Sequence, residues 1–97
     1  MSKGIPKHGK RDSNEKEIRK GLRALGVYVQ NASIPGWPDL WAGWQGVNYL
    51  LEVKQPGEKL TPLEAEFFAT WPGQAAVVHS LTEAMSVLGI ERETNDD

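Results

Sequence analysis

Two short segments rich in β-branched and aromatic residues, separated by a glutamine-glycine turn, constrain the fold of this chain most strongly. The segments span residues 40–44 and 47–54, and a two-residue turn between such segments predicts an antiparallel hairpin. Strand side chains alternate between faces, so Glu52 and Lys54 point the same way. Asp39 directly precedes the first strand, and the hairpin therefore brings Asp39 and Glu52 close together at its open end.

The rest of the chain predicts three helices and two further strands. The helices are predicted at residues 13–25, 61–71 and 80–88, and the strands at residues 27–30 and 75–79. A threonine cap, a proline and a glutamate at capping-box spacing mark the start of the second helix. Because a strand, a crossover helix and a strand form a parallel pair, we expect an α/β fold in the order α-β-β-β-α-β-α. Its mixed central sheet would have about four strands, flanked by helices.

Charge divides the 97-residue chain into three parts, although the net charge is only −2. Residues 1–11 hold four bases and no acid, residues 12–90 hold six bases and nine acids, and residues 91–97 hold one base and four acids. We expect a flexible basic arm, one domain and an acidic tail, in that order. The arm either contacts phosphates or serves only as a charged, solubilising terminus.

Composition excludes several classes of protein. The chain has no cysteine, so it has neither disulfides nor thiolate zinc sites, and a reducing compartment is compatible with this composition. It also lacks an apolar run of about 18 residues, so we expect no membrane span and no membrane partner.

The charges at the ends of the hairpin strands have two interpretations. Each of them is either an ordinary surface charge or part of a site. Glu52 and Lys54 close a segment that is otherwise nearly all apolar, where a charge needs a partner or a metal to offset its desolvation. Carboxylates, carbonyls and waters are the ligands that Mg²⁺ prefers, and the Val53 carbonyl is available beside the two acids. Lys54 would then position water and stabilise developing charge.

Four motifs in order along the chain together resemble the PD-(D/E)XK nuclease superfamily. They are Glu15 on the first helix, Gly36-Trp37-Pro38-Asp39 before a strand, Glu52-Val53-Lys54 at the end of the next strand, and Lys59-Leu60-Thr61-Pro62 before a helix. Within that superfamily the chain looks most like the stand-alone, phage-type VRR-NUC domains, whose core is similar to that of archaeal Holliday junction resolvases. The resemblance covers residues 12–88 and implies a restriction-endonuclease-like core.

The resemblance also implies a role for each motif residue. Asp39 and Glu52 would be metal ligands, with the Val53 backbone carbonyl completing the protein's share of the coordination. Lys54 would orient or activate the hydrolytic water. Glu15 matches the family's helical acid, which contributes to the metal site or to its water shell.

The activity implied by the resemblance is that of a Mg²⁺- or Mn²⁺-dependent DNA endonuclease acting on branched or structured DNA. Such enzymes hydrolyse phosphodiester bonds to leave 5′-phosphates, and a homodimer cuts paired strands with its two sites. The expected location is the cytoplasm of a bacterial host or of a phage-infected cell. Two alternatives stay open: a non-catalytic nucleic-acid-binding module, and a nuclease subunit that needs a partner protein.

One position departs from the family pattern. Relatives often carry a glutamine on the helix after the Ser/Thr-Pro turn, and Glu64 occupies the matching position here. As the third residue of a capping box, Glu64 has a sufficient structural reason. Glu17 fits the helical acid less well than its neighbour Glu15, and Gln55 either contacts DNA or begins the turn.

The aromatic residues and one histidine have competing interpretations. Trp41 and Trp71 are expected to fill the core or a dimer interface. Trp37 and Trp44 flank the site strands, where core packing is favoured over stacking on unpaired bases. His79 lies on an apolar strand and is expected to be a core or edge histidine and not a ligand.

Overall fold

The computed structural model describes the backbone of residues 5–91 and the side chains of residues 13–91. Within that part of the chain, the element order is α-β-β-β-α-β-α, as predicted. The helices are α1 (Ile5–Ala24), α2 (Pro62–Thr70) and α3 (Leu81–Leu88), and the strands are β1 (Tyr28–Asn31), β2 (Leu40–Trp44), β3 (Val47–Val53) and β4 (Ala76–Val78).

The four strands form one mixed sheet in the order β1-β2-β3-β4. β2 and β3 are the predicted antiparallel hairpin, with Leu40 opposite Leu51. Gln45 and Gly46 both have positive φ, at 51° and 81°, which matches the type I′ turn that suits strand twist. The crossover through α2 places β4 parallel to β3. The predicted sheet topology is therefore confirmed.

The hydrophobic core lies on one face of this sheet. α1 and α3 pack on that face, where alternate strand residues meet the apolar stripes of both helices. The buried core includes Ile18, Leu22, Val29, Leu40, Leu51, Val53, Val78, Ala84 and Leu88. α2 approaches the opposite face, where its Glu64 contacts Lys54. The opposite face thus stays partly open beside the hairpin.

Helix α1 begins at Ile5, so the predicted start near residue 13 is wrong. Extending an existing helix adds one hydrogen bond for each residue that is fixed, and it therefore costs little. Pro6 falls in the first turn, where its missing N–H breaks no hydrogen bond. The predicted flexible arm thus overlaps α1 from Ile5 onward, whereas residues 1–4 lie outside the described residues. Although α1 has 20 residues, no helix in the described part is long and apolar enough to cross a membrane.

Gly21 sits where α1 meets α3. A Cβ atom there would lie 2.5 Å from Leu81 Cδ2, closer than carbon atoms can pack. Leu81 at the start of α3 therefore leaves no room for a side chain at this position of α1.

Helix α2 begins with the capping box that its sequence predicted. The Thr61 hydroxyl accepts a hydrogen bond from Glu64 N at 3.2 Å, and Glu64 Oε1 accepts one from Thr61 N at 2.9 Å. These two bonds satisfy backbone donors that the first turn of a helix leaves unpaired.

Replacing the cap threonine tests its contribution to the fold. We expect Thr61→Ala to lower the free energy of unfolding by about 1 kcal/mol, because the backbone N–H of Glu64 in the first turn of α2 loses its acceptor. Thr61→Ser keeps the hydroxyl and is expected to stay close to wild type. Urea denaturation measures both values, and equal stability of all three proteins would contradict a stabilising cap.

Candidate metal and water site

Asp39 is held at the open end of the hairpin by the loop before it and by two strands. Gly36 has a φ of +84°, and a Cβ there would lie 3.0 Å from Leu63 Cβ on α2, so the loop packs tightly in a conformation that favours glycine. The Asp39 carbonyl accepts a hydrogen bond from Ala32 N at 2.9 Å. Its carboxylate Oδ2 accepts one from Val53 N at 2.8 Å. Asp39 is thus fixed against the end of β3.

Glu52 lies beside Asp39 and is fully buried. The two carboxyl groups are hydrogen-bonded to each other, which requires a proton between them when no cation is present. Burial is the largest cause that raises the pKa of Glu52, and together with the nearby charges of Asp39 and Glu64, and against the opposing effect of Lys54, it brings this pKa to about 8. The structure therefore holds together two carboxylates that repel each other once both are ionised.

Lys54 follows on the same face, and its side chain is only 1% exposed. Its Nζ lies 2.7 Å from Glu64 Oε1, 3.5 Å from Glu52 Oε2 and 3.6 Å from Glu58 Oε2. Three carboxylates stabilise the ammonium in this buried position, where a lone charge would be costly. The shortest contact, to Glu64, fixes where the nitrogen sits.

Glu64 therefore has two roles in the structure. It completes the capping box of α2, as predicted, and it also pairs with Lys54. Burial alone would raise the pKa of Glu64, but hydrogen bonds from Lys54 and from the Thr61 backbone outweigh it and lower the pKa below its ordinary value. The spacing of the capping box predicted only the first role.

Glu15 stands further away, on α1 beside the end of β1. Its Oε2 accepts a hydrogen bond from Arg19 Nη1 at 2.8 Å and another from the Asn31 side chain. Asn31 pairs with Leu40, so the helical acid lies next to the strand that follows Asp39. Across the described residues, no group of three or more His, Cys, Asp and Glu side chains is arranged to hold a metal. The structure thus brings Asp39, Glu52 and Lys54 together and places Glu15 at their border.

The donor set at the hairpin end fits a hard divalent cation. Asp39 and Glu52 supply two carboxylates in contact. The Val53 carbonyl leaves the strand on the same side as its N–H, which binds Asp39. Two carboxylates and a carbonyl are a partial oxygen shell of the kind that Mg²⁺ completes with waters. A cation there would replace the proton shared by the two acids.

Three contacts at the site were missing from the sequence prediction. Glu58 and Glu64 reach Lys54, and Asn31 binds Glu15. The spacing of four residues between Lys54 and Glu58 was an available signal for the first of these. The other two contacts join separate elements, so no local pattern encodes them.

The tryptophans form a cluster around the loop and α2. The ring of Trp37 lies 6.0 Å from Trp41, 5.5 Å from Trp71 and 4.9 Å from Phe67, measured between ring centroids. Trp41 and Trp71 are 38% and 36% exposed and line the open face of the sheet, so they do not fill the core. The alternative, that they fill a dimer interface, stays a prediction. Trp44 packs against the core, as favoured.

His79 is a half-exposed histidine after β4, where its Nδ1 lies 2.9 Å from Glu83 Oε1. Glu83 also accepts a hydrogen bond from His79 N at 2.7 Å. These contacts agree with the expected edge histidine that has a local partner.

Comparison with known proteins finds the same fold. A solved structure described as a VRR_NUC domain superposes with a TM-score of 0.65 and 26% sequence identity, covering 86% of this chain and 98% of that one. No family model and no curated protein sequence matches the chain.

The fold and the comparison together define a nuclease-type domain. The chain has the fold of a VRR-NUC domain, which confirms the resemblance drawn from its motifs and is consistent with the PD-(D/E)XK superfamily.

The paired acids make stability depend on pH. The pKa of Glu52 is higher in the folded chain than the ordinary value of 4.5, so in this pH range the folded state binds more protons than the unfolded state. The free energy of unfolding therefore falls as pH rises from about 5 to about 8. Glutamine cannot ionise, so we expect the free energy of unfolding of Glu52→Gln to fall by roughly 1–3 kcal/mol less than that of wild type over this pH range.

Urea denaturation with a chelator, at a series of pH values, measures the effect. Glu66→Gln on the exposed surface of α2 controls for the loss of one negative charge. If wild type and Glu52→Gln showed the same slope, the two carboxyl groups would not be coupled.

Proposed function

We propose that this chain is a Mg²⁺- or Mn²⁺-dependent DNA endonuclease. The observation that carries the proposal is the contact between the Asp39 and Glu52 carboxyl groups, with Lys54 Nζ 3.5 Å from Glu52 Oε2. Each of these groups is fixed by strands of the same sheet. This arrangement supports hydrolysis of a phosphodiester, whose charged transition state needs cations and oriented donors.

The metal would be held by Asp39, Glu52 and the Val53 carbonyl. Such an ion, when bound, supplies a Lewis acid and a lowered pKa for water. Glu15 would contribute through a water molecule, since its own carboxylate is already bonded to Arg19 and Asn31. The network around Glu15 keeps its carboxylate near the site without placing it among the inner ligands.

Lys54 has the role of donor and positioner. Its Nζ is anchored by Glu64 at 2.7 Å and can donate further hydrogen bonds to the attacking water and to a phosphate oxygen. Attack forms a bond from the water oxygen to phosphorus and breaks the bond from phosphorus to the 3′ oxygen. The products are a 5′-phosphate and a 3′-hydroxyl, and the proton of the water passes to solvent or to the leaving oxygen.

We further propose that the substrate is branched DNA, as in Holliday junction resolution, and that a homodimer cuts paired strands in the cytoplasm. The support for this substrate class is the resemblance of the motifs to those of VRR-NUC domains, whose core is similar to that of Holliday junction resolvases. Two sites in one assembly would account for paired cuts on opposite strands of a junction.

Cleavage of labelled four-way junctions, flaps and linear duplexes with Mg²⁺ or Mn²⁺ tests the proposal. We expect Asp39→Asn to lose activity and Lys54→Ala to lose about 10²- to 10³-fold in rate, because each removes stabilisation of the transition state. Ligation of the products with DNA ligase reports the 5′-phosphate.

Glu83→Gln serves as the control, since Glu83 pairs with His79 away from the hairpin. Equal cutting by wild type and Asp39→Asn would overturn the assignment of the site. Binding of DNA by wild type with no cutting of any substrate would favour a non-catalytic binding module.

A further inference from the structure

The face of the sheet that carries the site continues into an open groove. Strand pairing places Gln30, Trp41 and Leu50 in one row across this face. The next row holds Tyr28 and Gly43. Rows of side chains on one face are about 7 Å apart. The groove therefore leads directly away from the row that contains Glu52.

This groove has a volume of about 680 Å³ and is lined without a charged side chain. Its surfaces are aromatic rings and amides: Tyr28, Trp37, Trp41, Trp71, Gln30, Asn48 and Gln74. Tyr28 is 71% exposed and Trp41 38%, so large ring surfaces face the solvent. Rings offer stacking surfaces to flat ligands, and amides offer donors and acceptors at their edges.

One wall of the groove is fixed to the sheet. The Trp71 indole N–H donates to the Gln74 carbonyl at 3.0 Å, and the Gln74 side chain accepts a hydrogen bond from Leu50 N at 2.7 Å. The Trp71 ring also stacks on Phe67, at 5.2 Å between centroids and an interplanar angle of 19°. Trp71 is thus a preformed platform and needs little ordering when a ligand binds.

A cation stands at the edge of the groove. β1 is the edge strand of the sheet, and the Arg23 side chain binds the Val29 carbonyl at 2.7 Å and Gln30 Oε1 at 3.4 Å. One turn earlier on α1, Arg19 lies beside Glu15. Arg23 therefore places a positive charge on this edge beside Gln30, whereas the charge of Arg19 is paired with Glu15.

We propose that this groove binds an unpaired stretch of DNA that continues from the scissile phosphate. The bases would stack on Trp41, Tyr28 and Trp71, with their phosphates towards Arg23. An uncharged aromatic floor with a basic edge matches the two parts of a single strand, its bases and its backbone. The inference rests on the proposed function and specifies its substrate, namely DNA with unpaired nucleotides beside the cut.

Gly43 allows the groove to be blocked without disturbing the fold. A Cβ at Gly43 meets no other atom within 4 Å, and valine suits a strand better than glycine. Gly43→Val is therefore expected to fold and to fill the floor of the groove. Trp41→Ala removes a stacking ring, Trp41→Phe retains one, and Leu25→Ala is the matched control, since Leu25 is similarly exposed at 41% and lies on the helix side.

The test measures binding in a chelator, where no cleavage occurs, by fluorescence anisotropy of labelled oligo(dT) and of a blunt two-strand DNA duplex. We expect Gly43→Val and Trp41→Ala to bind oligo(dT) about tenfold more weakly, while Trp41→Phe and Leu25→Ala stay near wild type. Binding of the blunt duplex should change by less than about twofold. Circular dichroism confirms that each variant is folded.

If Gly43→Val and Trp41→Ala bound oligo(dT) as tightly as wild type, the proposal would be overturned. The proposal would also be overturned if the wild type sedimented as a dimer and the two variants as monomers while their DNA binding stayed unchanged. The groove would then hold a second copy of the chain. Binding is measured without metal, so the test of the groove is separate from the test of nuclease activity. If the two variants bind oligo(dT) more weakly but the wild type cuts no DNA with metal, the nuclease activity is contradicted and the groove is not. If the wild type cuts DNA with metal but the two variants bind oligo(dT) as tightly as wild type, only the groove is contradicted.

Discussion

The enforced contact between Asp39 and Glu52 is the interaction on which the rest of the site depends. A tight loop delivers the first acid, and the buried end of β3 delivers the second. Two carboxylates in one buried place repel each other, so the fold tolerates them only with a proton or a cation between them. The Val53 N–H and the nearby Lys54 offset part of that repulsion. The chain therefore gives up stability here to hold two carboxyl groups together.

The one-sided sheet explains how a small domain accommodates both a core and a functional surface. α1 and α3 bury one face, and the acids, the lysine and the aromatic groove share the other. α2 links the two regions, because Glu64 at its start anchors Lys54 and Trp71 at its end lines the groove. A shift of this helix would therefore disturb the chemistry and the groove together.

Local patterns were enough to predict the topology and the closeness of Asp39 to the end of β3. Alternation and turn chemistry determine the hairpin, and its register puts Asp39 beside Glu52. The contact between Glu64 and Lys54 was not predictable, because it joins a helix start to a strand end across the chain. The exposure of Trp41 was missed for a related reason: a large aromatic on a strand packs inward only if a layer covers that face, and sequence alone did not show which face stays open.

Anomalous X-ray diffraction from crystals soaked in Mn²⁺ would show whether Asp39 and Glu52 hold a metal ion together. We expect an anomalous peak between the Asp39 and Glu52 carboxylates, in contact with the Val53 carbonyl, with Lys54 Nζ still beside Glu64. The two acids would then no longer share a hydrogen bond. A peak elsewhere, or no peak while Asp39 and Glu52 stay hydrogen-bonded to each other, would contradict this expectation.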